Sequence, residues 1–256
     1  MNESRMPADL LESVIRIAQR AGAVVMSVYA GEIAVRGKQD ASPVTEADEQ
    51  AEAVIVPALQ ALTPDIPVVA EEAVAAGQCP TVGDRFWLVD PLDGTKEFIS
   101  RNGEFTVNIA LIERGTPVLG VVLAPAQDRL FAGVVGQGAF VVEGSQRRAM
   151  RCRPVPAEGL TVVASRSHGD AAALDAFLGG RTVAALRNAG SSLKLCLVAA
   201  GEADLYPRLG RTMEWDIAAG HAVLAAAGGS VSELNGQPLM YGKPDFANPY
   251  FVASGL

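Results

Sequence analysis

The sequence predicts an α/β protein whose first half mixes helices and antiparallel strands (α+β) and whose second half alternates strands with helices. Three observations carry this. Two stretches near the start, 9–29 and 45–62, place apolar side chains at helical spacing. Residues 105–144 hold four β-rich runs separated by ERGT, PAQD and GQG, the pattern of an antiparallel meander. Beyond residue 158, strand-like and helix-like segments take turns, which favours a sheet covered by helices.

In chain order, DLLESVIRIAQRAGAVVMSVY (9–29) sets Leu10, Leu11, Val14, Ile15, Ala18 and Ala21 on one helical face. The next segment is polar and contains glycine. Thr45 then serves as N-cap, with Asp48 three residues on as in a capping box, for a helix reaching Leu62. IPVVAEE (66–72) reads as a strand ending on Glu71 and Glu72, and FWLVD (86–90) as a strand ending on Asp90. After the meander, 145–158 is polar, with Arg147, Arg148, Arg151, Arg153 and two prolines. A boundary here divides the chain into 1–150 and 151–256. The second half then gives a strand in LTVVASRSH, a helix in DAAALDAFLGG, a strand in RTVAALRNAG, a helix in SSLKLCLVAAG, a strand in ADLYPR, a helix in WDIAAGHAVLAAAGG and a strand in SVSEL, with the sheet largely buried.

Composition narrows the function classes. Of 256 residues, 49% are hydrophobic and 20% charged, as in a compact domain rather than a disordered chain. Twenty-one basic against 29 acidic residues leave a net charge of −8, and no basic run has the length of a nucleic-acid footprint, so no nucleic-acid polymer is expected as partner. The opening MNESRMPADL lacks the basic-then-apolar pattern of a secretory signal, and PVLGVVLAPA (117–126) falls short of the ~20 apolar residues of a membrane span. Cys79, Cys152 and Cys196 are odd in number and widely spaced, as free thiols of a reducing compartment are. With His168 and His221 the only histidines, a zinc site is not expected.

The chemistry is concentrated in LVDPLDGTKEF (88–98). Pro91 biases Asp90 toward extended backbone, and a turn there frees the Leu92 carbonyl and returns Asp93 to the same side. Hard cations such as Mg²⁺ take oxygen ligands of this kind. Gly94 allows a close backbone approach, and TKEFI opens a helix whose free N–H groups favour an anion. Glu71, Glu72, Asp48 and the Asp216 of EWDIAAG add carboxylates from elsewhere in the chain.

Asp48, the EE pair at 71–72, DPLDGT at 90–95 and WDIAAG at 215–220, in that order, resemble the signature of the lithium-sensitive, magnesium-dependent inositol monophosphatase superfamily. FWLVDPLDGTKEFISRNGEFTVNIALI, with Lys96, is similar to the CysQ group of 3′(2′),5′-bisphosphate nucleotidases within it. SRSH (165–168) and GSSLKLCLVAAGEADLYPR (190–208) resemble the segments that hold the nucleotide and its non-reacting phosphate there. The likeness implies a layered αβαβα fold. One Mg²⁺ would be bound by Glu71, Asp90 and the Leu92 carbonyl, and a second by Asp90, Asp93 and Asp216, with a third, weaker ion near Glu71. Thr95, paired with Asp48, would orient the attacking water, and Glu72 would support the water shell. Gly94, Thr95, Lys96, Ser165, Ser167, His168, Gly190, Ser191, Ser192, Lys194, Arg208 and Asp216 would bind substrate.

The resemblance further implies adenosine 3′,5′-bisphosphate as substrate, losing its 3′-phosphate to give AMP, with 3′-phosphoadenylyl sulfate as a related one and sulfate assimilation as the setting. It implies a cytoplasmic monomer. Peripheral attachment to the membrane's cytoplasmic face belongs to the resemblance alone, because the acidic sequence offers no amphipathic anchor. Two alternatives stay open: an inositol or sugar monophosphatase with the same metals, against which Lys96, SRSH and Lys194 speak, and a non-catalytic Mg²⁺ and nucleotide binder, against which Thr95 and Asp48 speak.

Overall fold

A computed structural model of the chain describes residues 8–37, 43–165 and 171–256. Helix α1 (Ala8–Tyr29) buries Leu11, Val14, Ala18, Ala21 and Val25, one turn apart along one face. Strands β1 (Val35–Gly37) and β2 (Pro43–Thr45) pair antiparallel, a short ribbon where the sequence suggested only a polar connection. Helix α2 (Glu46–Leu62) then starts as expected from Thr45: the Asp48 carboxylate accepts from the Thr45 backbone N–H at 2.8 Å, and Thr45 Oγ1 accepts from Ala47 N–H. Ala47, Ala51, Ile55 and Leu59 form its buried stripe against α1.

Two carboxylate-bearing ends differ from expectation. β3 (Val68–Ala70) stops before the glutamates, and Glu71 and Glu72 open a short helix α3 (Glu71–Ala75). The physical preference is clear: acids in the first turn face the positive end of the helix. β4 (Arg85–Asp93) does not end at Asp90 but continues through Pro91. Its pairing with β5 (Thr106–Glu113) matches Asp90 to Asn108 and Asp93 to Thr106, so β4 carries one extra residue in that interval. This is a β-bulge, one of the few places in a sheet where proline is tolerated. Because Thr106 and Asn108 lie on one face of β5, the bulge also brings Asp90 and Asp93 onto one face, where regular pleating would oppose them.

Gly94, in the left-handed region at φ +90°, turns the chain into α4 (Thr95–Ile99). The meander follows as β5, β6 (Thr116–Ala124), β7 (Arg129–Val134) and β8 (Gly138–Glu143), with β9 (Gln146–Met150) added where the sequence suggested a polar boundary. Arg114 and Gly115, both at positive φ, make the two-residue turn between β5 and β6. The seven-stranded sheet runs in the order β3-β4-β5-β6-β7-β8-β9, parallel only between β3 and β4. Its central strands β4 to β7 are buried on both faces, while edge strand β9 is exposed up to Met150. Val107, Ile109 and Leu111 of β5 belong to the core under α1 and α2, Ala110 and Ile112 to the core on the other side.

The second half supplies β10 (Leu160–Ser165), α5 (Ala171–Leu178), β11 (Val183–Ala189), α6 (Leu193–Ala199), β12 (Leu205–Arg208), α7 (Glu214–Ala226), β13 (Ser230–Glu233) and β14 (Phe251–Ser254). Its five-stranded sheet has the order β11-β10-β12-β14-β13. Helices α6 and α7 lie between the two sheets, giving the expected layered α/β architecture. The expectation of a largely buried second sheet holds for β12 but not for edge strand β11, which exposes every residue before Ala189, while α5 buries none.

Candidate active site

A cleft of about 670 Å³ opens where the β4 bulge, the β11–α6 connection, the end of β12 and the start of α7 meet. Twelve of the sequence-predicted residues line it: Glu71, Asp93, Gly94, Thr95, Lys96, Ser165, Gly190, Ser191, Ser192, Lys194, Arg208 and Asp216. Asp48, Glu72, Asp90 and Leu92 do not, and Ser167 and His168 lie outside the described residues. Lys96 is exposed at the rim.

Asp48 sits behind the wall, 2% exposed. One of its oxygens accepts from Thr45, and the other from the Thr95 hydroxyl at 3.3 Å. The Thr45 cap and the Thr95 contact fall on opposite oxygens of one carboxylate. Asp90 is turned back on its own loop, accepting from Leu92 N–H at 3.0 Å. Asp216 is the third residue of α7 and accepts from Met213 N–H at 2.8 Å. Ser192 stands at the N-cap position of α6 without a side-chain capping bond; its hydroxyl donates to the Asp216 carbonyl.

Asn108, fully buried in β5, was not among the predicted site residues. Its amide nitrogen lies 3.0 Å from Ser192 Oγ and 3.4 Å from both Asp93 Oδ2 and the Asp216 carbonyl. A lone amide in the apolar run FTVNIALI was the available signal, since a buried polar side chain needs partners. Tyr206, Arg211, Thr212, Met213 and Trp215 also line the cleft unpredicted; their stretch reads as an ordinary strand, loop and helix start.

The cleft's ionisable groups form an acidic set and a basic set that act on each other, Lys194 on Asp93 and Arg208 on Asp216. Burial, with Glu71 nearby, pushes the Asp93 carboxyl up to about 6 against the pull of Lys194, the Ser192 N–H and Asn108. Burial, Asp93 and Glu71 push Asp216 well above the usual carboxylate range. In the basic set, burial lowers the Lys194 ammonium to about 8, with Arg208 adding to the effect and Asp93, Glu97 and Glu104 opposing it. Both the acids and the lysine shift toward neutrality, so burial outweighs their mutual attraction. Such a cleft favours ligands that bring charge of their own.

A cation among Glu71, Asp93 and Asp216 would relieve their repulsion, and the all-oxygen donor set fits a hard divalent ion. Among the described residues, however, no three acidic, imidazole or thiol side chains stand as a closed metal cage. The physical reason is that these carboxylates are turned to protein donors: Asp90 to Leu92, Asp216 to Met213 and Asp93 toward Asn108. The donor chemistry therefore fits the ion, while the side chains are directed by the protein's own hydrogen bonds.

Within the basic set, Arg208 donates to the Arg211 carbonyl at 2.9 Å, while its Nε, buried, meets no hydrogen-bond acceptor among the described residues. Ser191, at φ +45°, likewise buries an unpartnered hydroxyl. Lys194 Nζ, 2.6 Å from the Ser191 carbonyl, lies 5.5 Å from the Tyr206 ring centre. His221 stays apart from the cleft, hydrogen-bonded to Tyr241 and lowered to about 4 by burial.

The model of the inositol monophosphatase family matches residues 6–253 of the chain. A curated relative from Escherichia coli K12, 3′(2′),5′-bisphosphate nucleotidase CysQ, is 48% identical over 96% of this chain and 99% of its own length. The protein of that name from Salmonella typhimurium is 49% identical over 94% and 98%. Among solved structures, CysQ from Bacteroides thetaiotaomicron, described as a bacterial member of that family, superposes with TM-score 0.81 at 38% identity, covering 96% of this chain and 97% of the other. The IMPase of Thermotoga maritima superposes with TM-score 0.78 at 28% identity over 96% and 92%.

Proposed function

The chain belongs to the inositol monophosphatase family, and from that premise we propose that it is a 3′(2′),5′-bisphosphate nucleotidase, removing the 3′-phosphate of adenosine 3′,5′-bisphosphate to leave AMP. One observation supports this over a monophosphatase. The cleft carries an acidic set, Glu71, Asp93 and Asp216, and a basic set in which the unpartnered Ser191 hydroxyl and Arg208 Nε stand beside Lys194. A ligand with one phosphate needs only the first; a bisphosphate uses both. The names of the relatives at 48% and 49% identity agree with this reading.

Glu71, Asp90, the Leu92 carbonyl, Asp93 and Asp216 would hold Mg²⁺, which when bound supplies charge neutralisation for the phosphoryl oxygens. The remaining work falls on the chain itself. The Thr95 hydroxyl proton is directed to Asp48 at 3.3 Å and the Leu92 carbonyl at 3.4 Å, so its oxygen lone pairs are left to accept from an attacking water and aim it. Arg208, Ser191 and Lys194 donate to the non-reacting phosphate and thereby fix the distance from anchor to reacting phosphorus. Glu72 supports the water around the acidic set. 3′-Phosphoadenylyl sulfate fits the same pair of sets, and lithium inhibits by taking a Mg²⁺ place with less charge. The three free cysteines and the absence, among the described residues, of any helix long and apolar enough to cross a membrane support a cytoplasmic protein.

The test is phosphate release with Mg²⁺ from adenosine 3′,5′-bisphosphate and from inositol 1-phosphate at equal concentration, with and without lithium. A strong nucleotide preference that lithium removes is the expected result. Preference for the inositol phosphate would reverse the reading of the basic set, and release from neither would favour a binding protein.

A further inference from the structure

We infer that Glu52 is a positioning residue for the acidic set of the cleft, a role that rests on the reading of Glu71 as a cation ligand. Helix α3 begins after Ala70, whose side chain has no atom to cap it, so its first N–H groups need a partner from elsewhere. Glu52 of α2, twenty residues earlier, provides it. Its Oε2 accepts from Glu72 N–H at 2.9 Å and its Oε1 from Ala73 N–H at 2.8 Å. A carboxylate at this end also meets the positive end of the helix dipole. Two adjacent amides held by one fork fix the rotation of α3 about its axis, and with it the direction in which Glu71 leaves the helix. Ala73 and Val74 pack partly buried against the two cores, so Glu52 adds a polar hold to an apolar one on a helix of five residues.

The position of Glu52 within α2 adds an independent observation. It follows Asp48 by four residues, one turn along the same face. Asp48 holds the Thr95 hydroxyl and Glu52 holds the helix that carries Glu71 and Glu72. Ala51, Ile55 and Leu59, all fully buried, lock α2 against the core. One rigid helix face thus sets the spacing between the water-orienting hydroxyl and a cation-binding carboxylate from a different part of the chain. Glu52 does not line the cleft, so it acts through α3 and not on substrate.

The experiment compares the full-length protein with Glu52→Ala and Glu52→Gln. It follows amide hydrogen exchange at residues 72–73 without metal, direct Mn²⁺ binding by calorimetry, and kcat and KM for adenosine 3′,5′-bisphosphate at saturating Mg²⁺. In Glu52→Ala the two amides lose protection, Mn²⁺ affinity falls about tenfold, and KM stays within about twofold. Glu52→Gln keeps one acceptor oxygen and the shape of the side chain, so it folds if Glu52→Ala does not, and its losses lie between those of the alanine variant and none. Mn²⁺ affinity unchanged in both variants overturns the inference while leaving the cation site standing. No Mn²⁺ binding by the parent protein overturns the cation reading and the inference with it, while the exchange data still decide whether the cap exists.

Discussion

Asp48 holds a helix cap with one oxygen and, in the proposed reading, a water-orienting hydroxyl with the other. Its Oδ2 accepts from both the backbone N–H and the hydroxyl of Thr45, and its Oδ1 from the Thr95 hydroxyl. Asp48→Asn separates the two tasks. The amide oxygen stays on the Thr45 N–H, and the NH₂ group is left facing Thr95. Thr95 must then accept instead of donate, and the Leu92 carbonyl, 3.4 Å away, becomes the acceptor for its proton. One of the two lone pairs proposed to aim the water is thereby occupied. The expected outcome is a fall of about 100-fold in kcat with KM little changed. The loss of the carboxylate charge from the first turn of α2 costs roughly 1 kcal/mol, or about 2–4 °C in Tm. Steady-state kinetics beside thermal unfolding check this, and an unaltered kcat would remove Thr95 and Asp48 from the reaction. The cap was legible beforehand from the three-residue spacing, while the orienting role comes from the resemblance and stands as a proposal. Glu52 was not legible, because its partners are backbone amides of a helix that the sequence presented as the end of a strand.

The element that places Asp216 is α7, and the sheet has a groove made for it. Ala110, Gly120, Gly133 and Ala139 pair in register across β5, β6, β7 and β8, a row of small residues on one face. A Cβ at Gly120 would stand 2.2 Å from the Ala219 carbonyl oxygen and 2.8 Å from Ala222 Cβ, and one at Gly133 would stand 2.8 Å from Ala226 Cβ. Gly120→Ala therefore has to push the helix backbone away. Asp216 lies one turn before Ala219, so it moves too. We expect a destabilisation of about 1–3 kcal/mol and at least a several-fold rise in the Mg²⁺ concentration for half-maximal activity. Gly83→Ala, with nothing within 4 Å of the added methyl, changes stability by less than about 0.5 kcal/mol. Equal behaviour of the two variants in denaturant melts and Mg²⁺ titrations would show that the close approach is not what seats Asp216. The helix and the four strands of the meander were readable from period alone, whereas the groove depends on register, which brings residues 110, 120, 133 and 139 together only once the sheet is paired. The bulge at 90–93 was half legible: Pro91 announced an interruption, and the pairing turned the expected turn into one extra residue within a continuing strand.

Across the whole molecule, the two sheets are joined by one apolar core. Phe86, Leu88, Ile112, Val122 and Phe131 of the first sheet share a buried cluster with Val163, Tyr206, Val231 and Phe251 of the second, with α6 and α7 between them. A second cluster under α1 and α2 touches the first sheet only. The segment after residue 150 thus has no apolar core that excludes the first half, and exposing α7 would uncover the groove of the first sheet. Chains of this length often populate intermediates when their parts have separate cores. Here the shared core predicts a single cooperative transition. The two tryptophans test it, since Trp87 lies in the cluster under α1 and α2 and Trp215 in the shared one. In guanidinium titrations of Trp87→Phe and Trp215→Phe, each followed by its remaining tryptophan and by far-UV circular dichroism, the two signals should coincide within each variant. Added Mg²⁺, which binds only the assembled site, should raise both midpoints by the same amount in free energy. A fluorescence change at Trp215 that precedes the loss of helix and sheet, or a Mg²⁺ effect confined to one reporter, would mean that the site-bearing layer opens by itself. The acidic and basic sets of the cleft would then be brought together by a docking step rather than by folding.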